Sequence, residues 1–202
     1  MKINYQLVLD ETLDRIRKSG RIPKLVLHSC CGPCSSYVLE ALTDYFDITV
    51  FYYNPNIYPE VEYDKRARTQ RQLIEAMPFK NKVGLIVPEL APEEYYSAVK
   101  GLEKEKEGGA RCSACFALRL AKTAELAKAI GADYFCTTLT VSPHKNSQII
   151  NEIGKMTAEK YNVPYLFSDF KKREGYKRSI ELSKQYGLYR QDWCGCVFAK
   201  EL

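Results

Sequence analysis

The chain has 202 residues, a formal charge of +5, 46% hydrophobic residues, eight cysteines and only two histidines. That length supports one sizeable core, and one α/β domain over residues 1–202 is expected. No apolar run approaches the ~20 residues of a membrane span, and no signal-peptide hydrophobic stretch opens the chain, so a cytoplasmic protein without a membrane partner is expected. Eight cysteines in such a protein point to metal or redox work, because disulfide scaffolds belong to small secreted domains. With only His28 and His144 available, any metal site must be rich in sulfur.

Residues 3–19 carry Leu9, Leu13 and Ile16 at helical spacing, with Gly20 as the stop. Leu25-Val26-Leu27 is an apolar run that reads as a buried strand. It breaks into Ser29-Cys30-Cys31-Gly32-Pro33-Cys34. Gly32 permits the turn, and Pro33 suits the first turn of the helix that follows. That helix puts Tyr37, Val38, Ala41 and Leu42 on one face and ends near Asp44. Strand, tight turn and helix start form the place where an open α/β sheet presents ligands. Here the turn carries three thiols, and the helix dipole favours their thiolates.

Ile48–Tyr53 is β-branched and aromatic, a second strand. The prolines of Asn54-Pro55-Asn56-Ile57-Tyr58-Pro59 force a loop. Residues 60–77 form a helix with Leu73, Ile74 and Met77 inward and Lys65, Arg66, Arg68 and Arg71 elsewhere on its surface. Val83–Val87 is a third strand, and Pro92 opens the next helix. Glu103–Glu107 reads as a solvated, charged helical face that Gly108-Gly109 ends. Arg111–Cys115 opens a helix with Ala117, Leu120, Ala121 and Ala124 as its apolar stripe and Gly131 as its stop. Tyr134–Thr138 is a fourth strand, residues 139–146 a loop, 147–160 a helix and Val163–Phe167 a short fifth strand. This alternation predicts a doubly wound, mostly parallel five-stranded sheet. A basic, cysteine-bearing tail over 168–202 is expected to pack on the active-site edge. In it Lys171, Lys172, Arg173, Lys177, Arg178, Lys184 and Arg190 alternate with Tyr176, Tyr186, Tyr189 and Trp193.

Cys112-x-x-Cys115 has the spacing of a metal half-site or a redox dithiol. It lies at a helix start, as does the thiol turn, and helix starts of a doubly wound sheet share one edge, so the two groups can converge. Converging thiols without histidine favour iron–sulfur over an imidazole-rich zinc site, with structural zinc as the competitor. Cys194-Gly195-Cys196 is a third pair, bent enough for a disulfide or a shared metal. Cys136 lies inside an apolar strand and reads as core. His28 reads as an oriented core histidine. His144-Lys145 follows the fourth strand at the thiol edge, where acids and substrate contacts sit. The alternation of cations and aromatics in the tail suits phosphate contacts and base stacking.

His28-Ser-Cys-Cys-Gly-Pro-Cys34, Tyr53-Asn-Pro-Asn-Ile57, Arg111-Cys-x-x-Cys115, the segment Thr137-Thr-Leu…Ser-Pro-His-Lys145 and the stretch from Tyr186-Gly-Leu-Tyr-Arg to Trp193-Cys-Gly-Cys-Val-Phe198 together resemble the QueH-type epoxyqueuosine reductases. The resemblance runs from about Lys24 to the C-terminus. It implies an iron–sulfur enzyme of the last step of queuosine formation, which reduces an epoxide on a modified wobble guanosine of tRNA to the alkene. The partners implied are that tRNA and an electron donor that the sequence does not identify. The layout is also similar to the nucleotide-alpha-hydrolase (HUP-like) folds of tRNA thiolases. Their Ser-Gly-Gly-x-Asp-Ser loop holds ATP; this chain has Ser29-Cys-Cys-Gly-Pro-Cys-Ser35, which lacks the glycine pair and the aspartate.

Reducing an epoxide to an alkene takes two electrons and two protons and releases water. No side chain is an electron reservoir, so a cofactor must supply the electrons. The simplest four-thiolate set for a [4Fe-4S] cluster is Cys30, Cys31, Cys112 and Cys115. A cluster delivers electrons singly, which calls for a second redox or Lewis-acid centre, such as a mononuclear iron. Adjacent cysteines tend to point apart, so Cys31 can face that centre while Cys34 enters the cluster shell. Cys194 and Cys196 are expected as a redox dithiol or as ligands of the second metal, with Asp192 completing it and His144 as an acid. Asn54, Asn56, Lys145, Lys172, Arg173 and Arg190 are expected to meet the substrate. Two other functions compete: an iron–sulfur, ATP-dependent tRNA thiolase, and a non-catalytic, zinc-stapled RNA-binding module.

Overall fold

Strands β1 (Lys24–His28), β2 (Asp47–Phe51), β3 (Val83–Ile86) and β4 (Tyr134–Thr137) form one parallel sheet in the order β3-β2-β1-β4. The computed structural model describes residues 2–199; Met1 and residues 200–202 of the expected tail lie outside it. Register sets Leu25 opposite Ile48 and Tyr134, and Leu27 opposite Val50 and Cys136. Alternation along the strands then divides the core in two. Leu25, Leu27, Ile48 and Val50 pack against helices α1 (Tyr5–Ser19), α2 (Gly32–Leu42) and α3 (Glu60–Ala76). Helix α4 (Pro92–Ala98) follows β3. Val26, Phe51 and Phe135 pack on the other face against α5 (Ala110–Ala129) and α6 (Ser147–Tyr161). The chain order reverses between β1 and β4, and ligand sites of open α/β sheets lie above such a reversal.

The expected strand at Val163–Phe167 is not formed. It makes one parallel bridge to the sheet, in which Phe135 N–H donates to Pro164 O at 3.0 Å and Leu166 N–H donates to Phe135 O at 2.9 Å. Pro164 has no N–H to continue a ladder. The Asn151 side chain then takes over the backbone of Ser168, donating to its carbonyl at 2.8 Å and accepting from its N–H at 3.0 Å. The sheet therefore has four strands, where five were expected. Residues Glu103–Glu107 lie in turns and make no helical face, between Gly101 and Gly108 at φ 83° and 87°. On α5, Ala117 faces solvent, and the buried stripe is Phe116, Leu120, Thr123, Ala124 and Ala127.

Gly32 serves a close approach and has an ordinary negative-φ backbone. A Cβ there would stand 2.9 Å from Thr69 Cγ2 and 3.1 Å from Thr69 O, so its absence lets α2 start against α3. Within the tail, α7 (Gly175–Gln185) packs along α2, and residues 188–199 then cross the carboxyl edge of the sheet. Among the described residues no helix is long and apolar enough to cross a membrane.

Candidate metal and redox site

The thiol turn is held from four directions. Ser29 N–H extends the β1–β2 ladder to Phe51 O at 2.9 Å. Its hydroxyl donates to Gln70 Oε1 on α3 at 2.6 Å and lies 2.6 Å from Ser35 Oγ. Asn54 Nδ2 donates to Ser29 O at 2.8 Å. Beneath the turn, His28 bridges Thr137 Oγ1 at 2.8 Å and Tyr53 O at 3.1 Å. Burial pushes its pKa down to about 3, so the imidazole stays neutral and oriented, as the sequence suggested.

The Sγ atoms of Cys30, Cys31 and Cys34 lie within 4.8 Å of one another, with Cys30 and Cys31 3.7 Å apart. Here the two neighbouring thiols converge and do not point apart. Cys31 is the N-cap of α2 with extended backbone (φ −173°, ψ 159°), and the change from strand to helix folds its side chain back beside Cys30. A tetrahedral thiolate site with metal–sulfur bonds of about 2.3 Å has sulfur–sulfur edges of about 3.8 Å, so this triad could hold a metal ion. Cys30 is held well below the usual thiol range, first by hydrogen bonds from the Cys31 and Cys34 thiols, while Cys31 is pushed up to about 12 and Cys34 is pushed up as well.

Helix α5 starts at the same edge. Gly108 N–H donates to Cys112 Sγ at 3.2 Å. Cys115, one turn on, packs with Tyr95, Val99 and Cys196. The Tyr95 hydroxyl is hydrogen-bonded to Cys196 Sγ at 2.9 Å, and Cys196 N–H donates to Cys194 Sγ at 3.4 Å. The Cys194 thiol and then the Tyr95 hydroxyl bring Cys196 down to about 6, despite opposing burial. Cys194 is pushed up in return.

Cys112, Cys115, Cys194 and Cys196 line a cavity of about 80 Å³. Cys30, Cys31, Cys34 and Cys194 line an adjoining cleft of about 480 Å³ whose rim includes Asp192, Trp193 and Arg190. Glu107, Arg119, His144, Lys145 and Cys194 belong to both walls. Seven thiols from three separated segments thus gather at one sheet edge. All eight cysteines are free. The eighth, Cys136, lies in the core and donates to Leu166 O at 3.2 Å, as its strand context suggested.

The tail is fixed over these thiols by a residue that reads as surface in the sequence. Arg66 is 2% exposed, and donates to Cys194 O at 3.1 Å, Trp193 O at 3.3 Å and Glu62 Oε1 at 2.7 Å. Tyr189 donates to the same Glu62 carboxylate at 3.2 Å. Tyr58 N–H donates to Gly195 O at 2.9 Å. Gly195 sits at φ 97°, a conformation suited to glycine, and a Cβ there would stand 2.9 Å from Ile57 Cγ1.

The expected substrate residues divide. Asn56 is 4% exposed, lines the smaller cavity and leaves its Oδ1 without a hydrogen-bond partner. Asn54 is taken up by Ser29 and by Arg119, whose guanidinium donates to Asn54 Oδ1 at 3.3 Å. Arg190 donates to Ser179 O and Ser183 Oγ. Lys172 and Arg173 line neither chamber, and Arg173 is paired with Asp10. Lys171, Lys177 and Arg178 are paired with Asp169, Glu174 and Glu40. Tyr95 and Arg119 escaped the sequence reading, and Arg111 entered it only as part of the motif that opens α5. For the two arginines the one signal is spacing, because Arg111, Cys115 and Arg119 recur at four-residue steps on one face of α5.

A doubly wound parallel sheet with seven thiols at its switch-point edge defines an α/β protein with a sulfur-rich edge, of which the Cys30, Cys31 and Cys34 group could hold a metal ion. The family model described as Epoxyqueuosine reductase QueH matches residues 25–201. Proteins named Epoxyqueuosine reductase QueH from Staphylococcus epidermidis (48% identical, over 98% of this chain and 85% of that protein), Streptococcus pyogenes (46%, over 100% and 80%) and Thermotoga maritima (38%, over 87% and 89%) are similar to it. The chain belongs to the QueH family.

Proposed function

We propose that this protein reduces epoxyqueuosine to queuosine at the wobble position of tRNA, the last step of queuosine formation, with an iron–sulfur cluster. The observation that carries the reading is the convergence of seven free thiols from the β1–α2 turn, the start of α5 and the tail. An all-thiol donor set suits iron–sulfur chemistry and leaves histidine out of the ligand shell.

We assign Cys30, Cys31, Cys112 and Cys115 as cluster ligands. Cys34, beside the first two, and Cys194 with Cys196 are then left for a second, mononuclear iron or for a redox pair, with Asp192 on the rim of the cleft. When bound, the cluster supplies the electrons that the side chains lack. The chain's own groups position the substrate and move protons. The free Oδ1 of Asn56 accepts a hydroxyl of the substrate ring, since an unpartnered buried acceptor favours a ligand that donates to it. His144 and Lys145, in the wall common to both chambers, deliver protons toward the leaving oxygen. Trp193 and Tyr176 beside the cleft offer stacking faces to an unpaired loop base. Lys172 and Arg173 contact the tRNA backbone farther out.

The strand order is compatible with a HUP-like ancestry in which thiols stand where related enzymes hold ATP phosphates. The test is direct. Under anaerobic conditions with a chemical reductant, tRNA bearing epoxyqueuosine is incubated with the protein and digested to nucleosides. Queuosine should accumulate with the wild type and not with Cys112→Ser. Unchanged tRNA in the presence of cluster-loaded, reduced wild type would overturn the assignment.

A further inference from the structure

Arg119 is a buried cation. It is 5% exposed and forms no ion pair among the described residues. Its oxygen partners are neutral, Asn54 Oδ1 at 3.3 Å and Cys115 O at 3.4 Å; its one other hydrogen-bond partner among the described residues is the Cys115 thiol, and its guanidinium lies 5.7 Å from the Phe116 ring centre. Long bonds of that kind do not offset the burial of a guanidinium; a buried charge needs an opposite charge. Glu107 shares the chamber walls but is exposed, and makes no ion pair with Arg119.

Sulfur lines the walls that the guanidinium shares. Arg119 stands in one wall with Cys115 of α5, in the other with Cys30 of the thiol turn, and in both with Cys194 of the tail. It stands in the wall common to both chambers. Arg111, two turns earlier on the same face of α5, repeats the pattern. It is 1% exposed, has no carboxylate partner among the described residues, and leaves its Nε unpartnered beside the same cavity. Simple packing does not call for two buried guanidiniums; an anion between the thiol groups does.

We infer that Arg119 is the fixed counter-cation of the thiolate-ligated centre and sets that centre's reduction potential. The inference rests on the iron–sulfur reading above. A cluster held by thiolates is anionic and gains a further negative charge on reduction, so a cation fixed beside it in a low-dielectric wall favours the reduced form. The side chain acts through the centre's charge and is a positioning residue.

The test compares the anaerobically reconstituted wild type with Arg119→Gln and Arg119→Lys. It reads iron and sulfide content, thermal melting and the midpoint potential from an optical redox titration. In Arg119→Gln the potential should become more negative by at least the ~59 mV that a tenfold change in a one-electron equilibrium represents. Arg119→Lys, which keeps the charge, should stay nearer the wild type. An Arg119→Gln protein with a full cluster and an unchanged potential would overturn the inference. Should Arg119→Gln fold without binding iron, Arg119→Lys must restore the cluster; a folded, iron-free Arg119→Lys would also overturn it. A wild type that binds no iron is a different failure, that of the iron–sulfur reading itself, and it removes the inference with it.

Discussion

The guanidinium of Arg66 on α3 donates to the carbonyl oxygen of Cys194 at 3.1 Å. This contact, with its companions to Trp193 O and Glu62, ties the last cysteine pair to the body of the protein. Arg66→Ala takes this donor from two tail carbonyls and leaves the half-buried Glu62 carboxylate with the Tyr189 hydroxyl, and should cost about 2 kcal/mol. Arg66→Lys should not restore it, because one ammonium cannot replace the planar fork. Hydrogen exchange should show amides 189–199 opening in both variants while those of β1 and α2 keep their protection. Unchanged protection across the tail would show that Arg66 is not its anchor.

Acid stability should depend on His28. Its folded pKa of about 3 lies below the usual value near 6.5, so the neutral form is the stabilised one. The contribution is complete above pH ~6.5 and is lost as pH falls toward 3, at up to about 1.4 kcal/mol per pH unit. Denaturant unfolding measured between pH 7 and pH 4 should show that slope. In His28→Gln it should flatten, with a lower plateau at pH 7. Parallel slopes in the two proteins would contradict the buried neutral imidazole.

In the metal-free protein, Cys196 should behave as a thiolate at neutral pH. With its pKa near 6, alkylation by iodoacetamide should reach its plateau by pH ~7.5 and fall about tenfold per unit below 6. Cys194 should react far more slowly throughout. Tyr95→Phe removes a hydrogen bond to the Cys196 sulfur and should move the alkylation midpoint upward. Peptide mapping by mass spectrometry reads both sites at once, and equal reactivity would refute the asymmetry.

The ligand assignment separates the cysteines by their effect on iron. Serine keeps the shape of cysteine but removes the soft donor. Cys112→Ser and Cys115→Ser should lose most of the iron and the visible absorption. Cys194→Ser and Cys196→Ser should keep much of the cluster and lose turnover. Full iron in the first two variants would remove them from the ligand set.

Replacing Lys172 and Arg173 together by alanine should weaken tRNA binding without altering the optical spectrum. Each lost contact to a single-stranded phosphate lowers the salt slope by about 0.7, so the pair should lower it by about 1.4. Because Arg173 is paired with Asp10 in the free protein, tRNA must take it from that carboxylate. Identical affinities and slopes would place docking elsewhere, with Lys65, Arg68 and Arg71 on α3 as the next basic surface.

Local signals made the thiol turn readable. The apolar run, the Gly-Pro pair and the C-x-x-C at a helix start each act within a few residues, and the shared sheet edge follows from strand–helix alternation. What stayed hidden depends on distant partners. Arg66 and Arg119 look like ordinary helix-surface cations until the tail carbonyls and the thiols that surround them are in place. Val163–Phe167 has a strand's composition, yet Pro164 and the Asn151 side chain decide against it. The convergence of Cys30 and Cys31 depends on the backbone at one residue, the N-cap of α2, which residue type alone does not fix.

Whether these thiols hold an iron–sulfur centre is decided by the composition of the anaerobically purified wild-type protein. Iron, acid-labile sulfide and zinc should be measured together with the visible spectrum. The wild-type protein should be brown, with iron and sulfide in comparable amounts and absorption that bleaches on reduction. A colourless protein that contains zinc or no metal, and no sulfide, would rule out an iron–sulfur centre at these thiols.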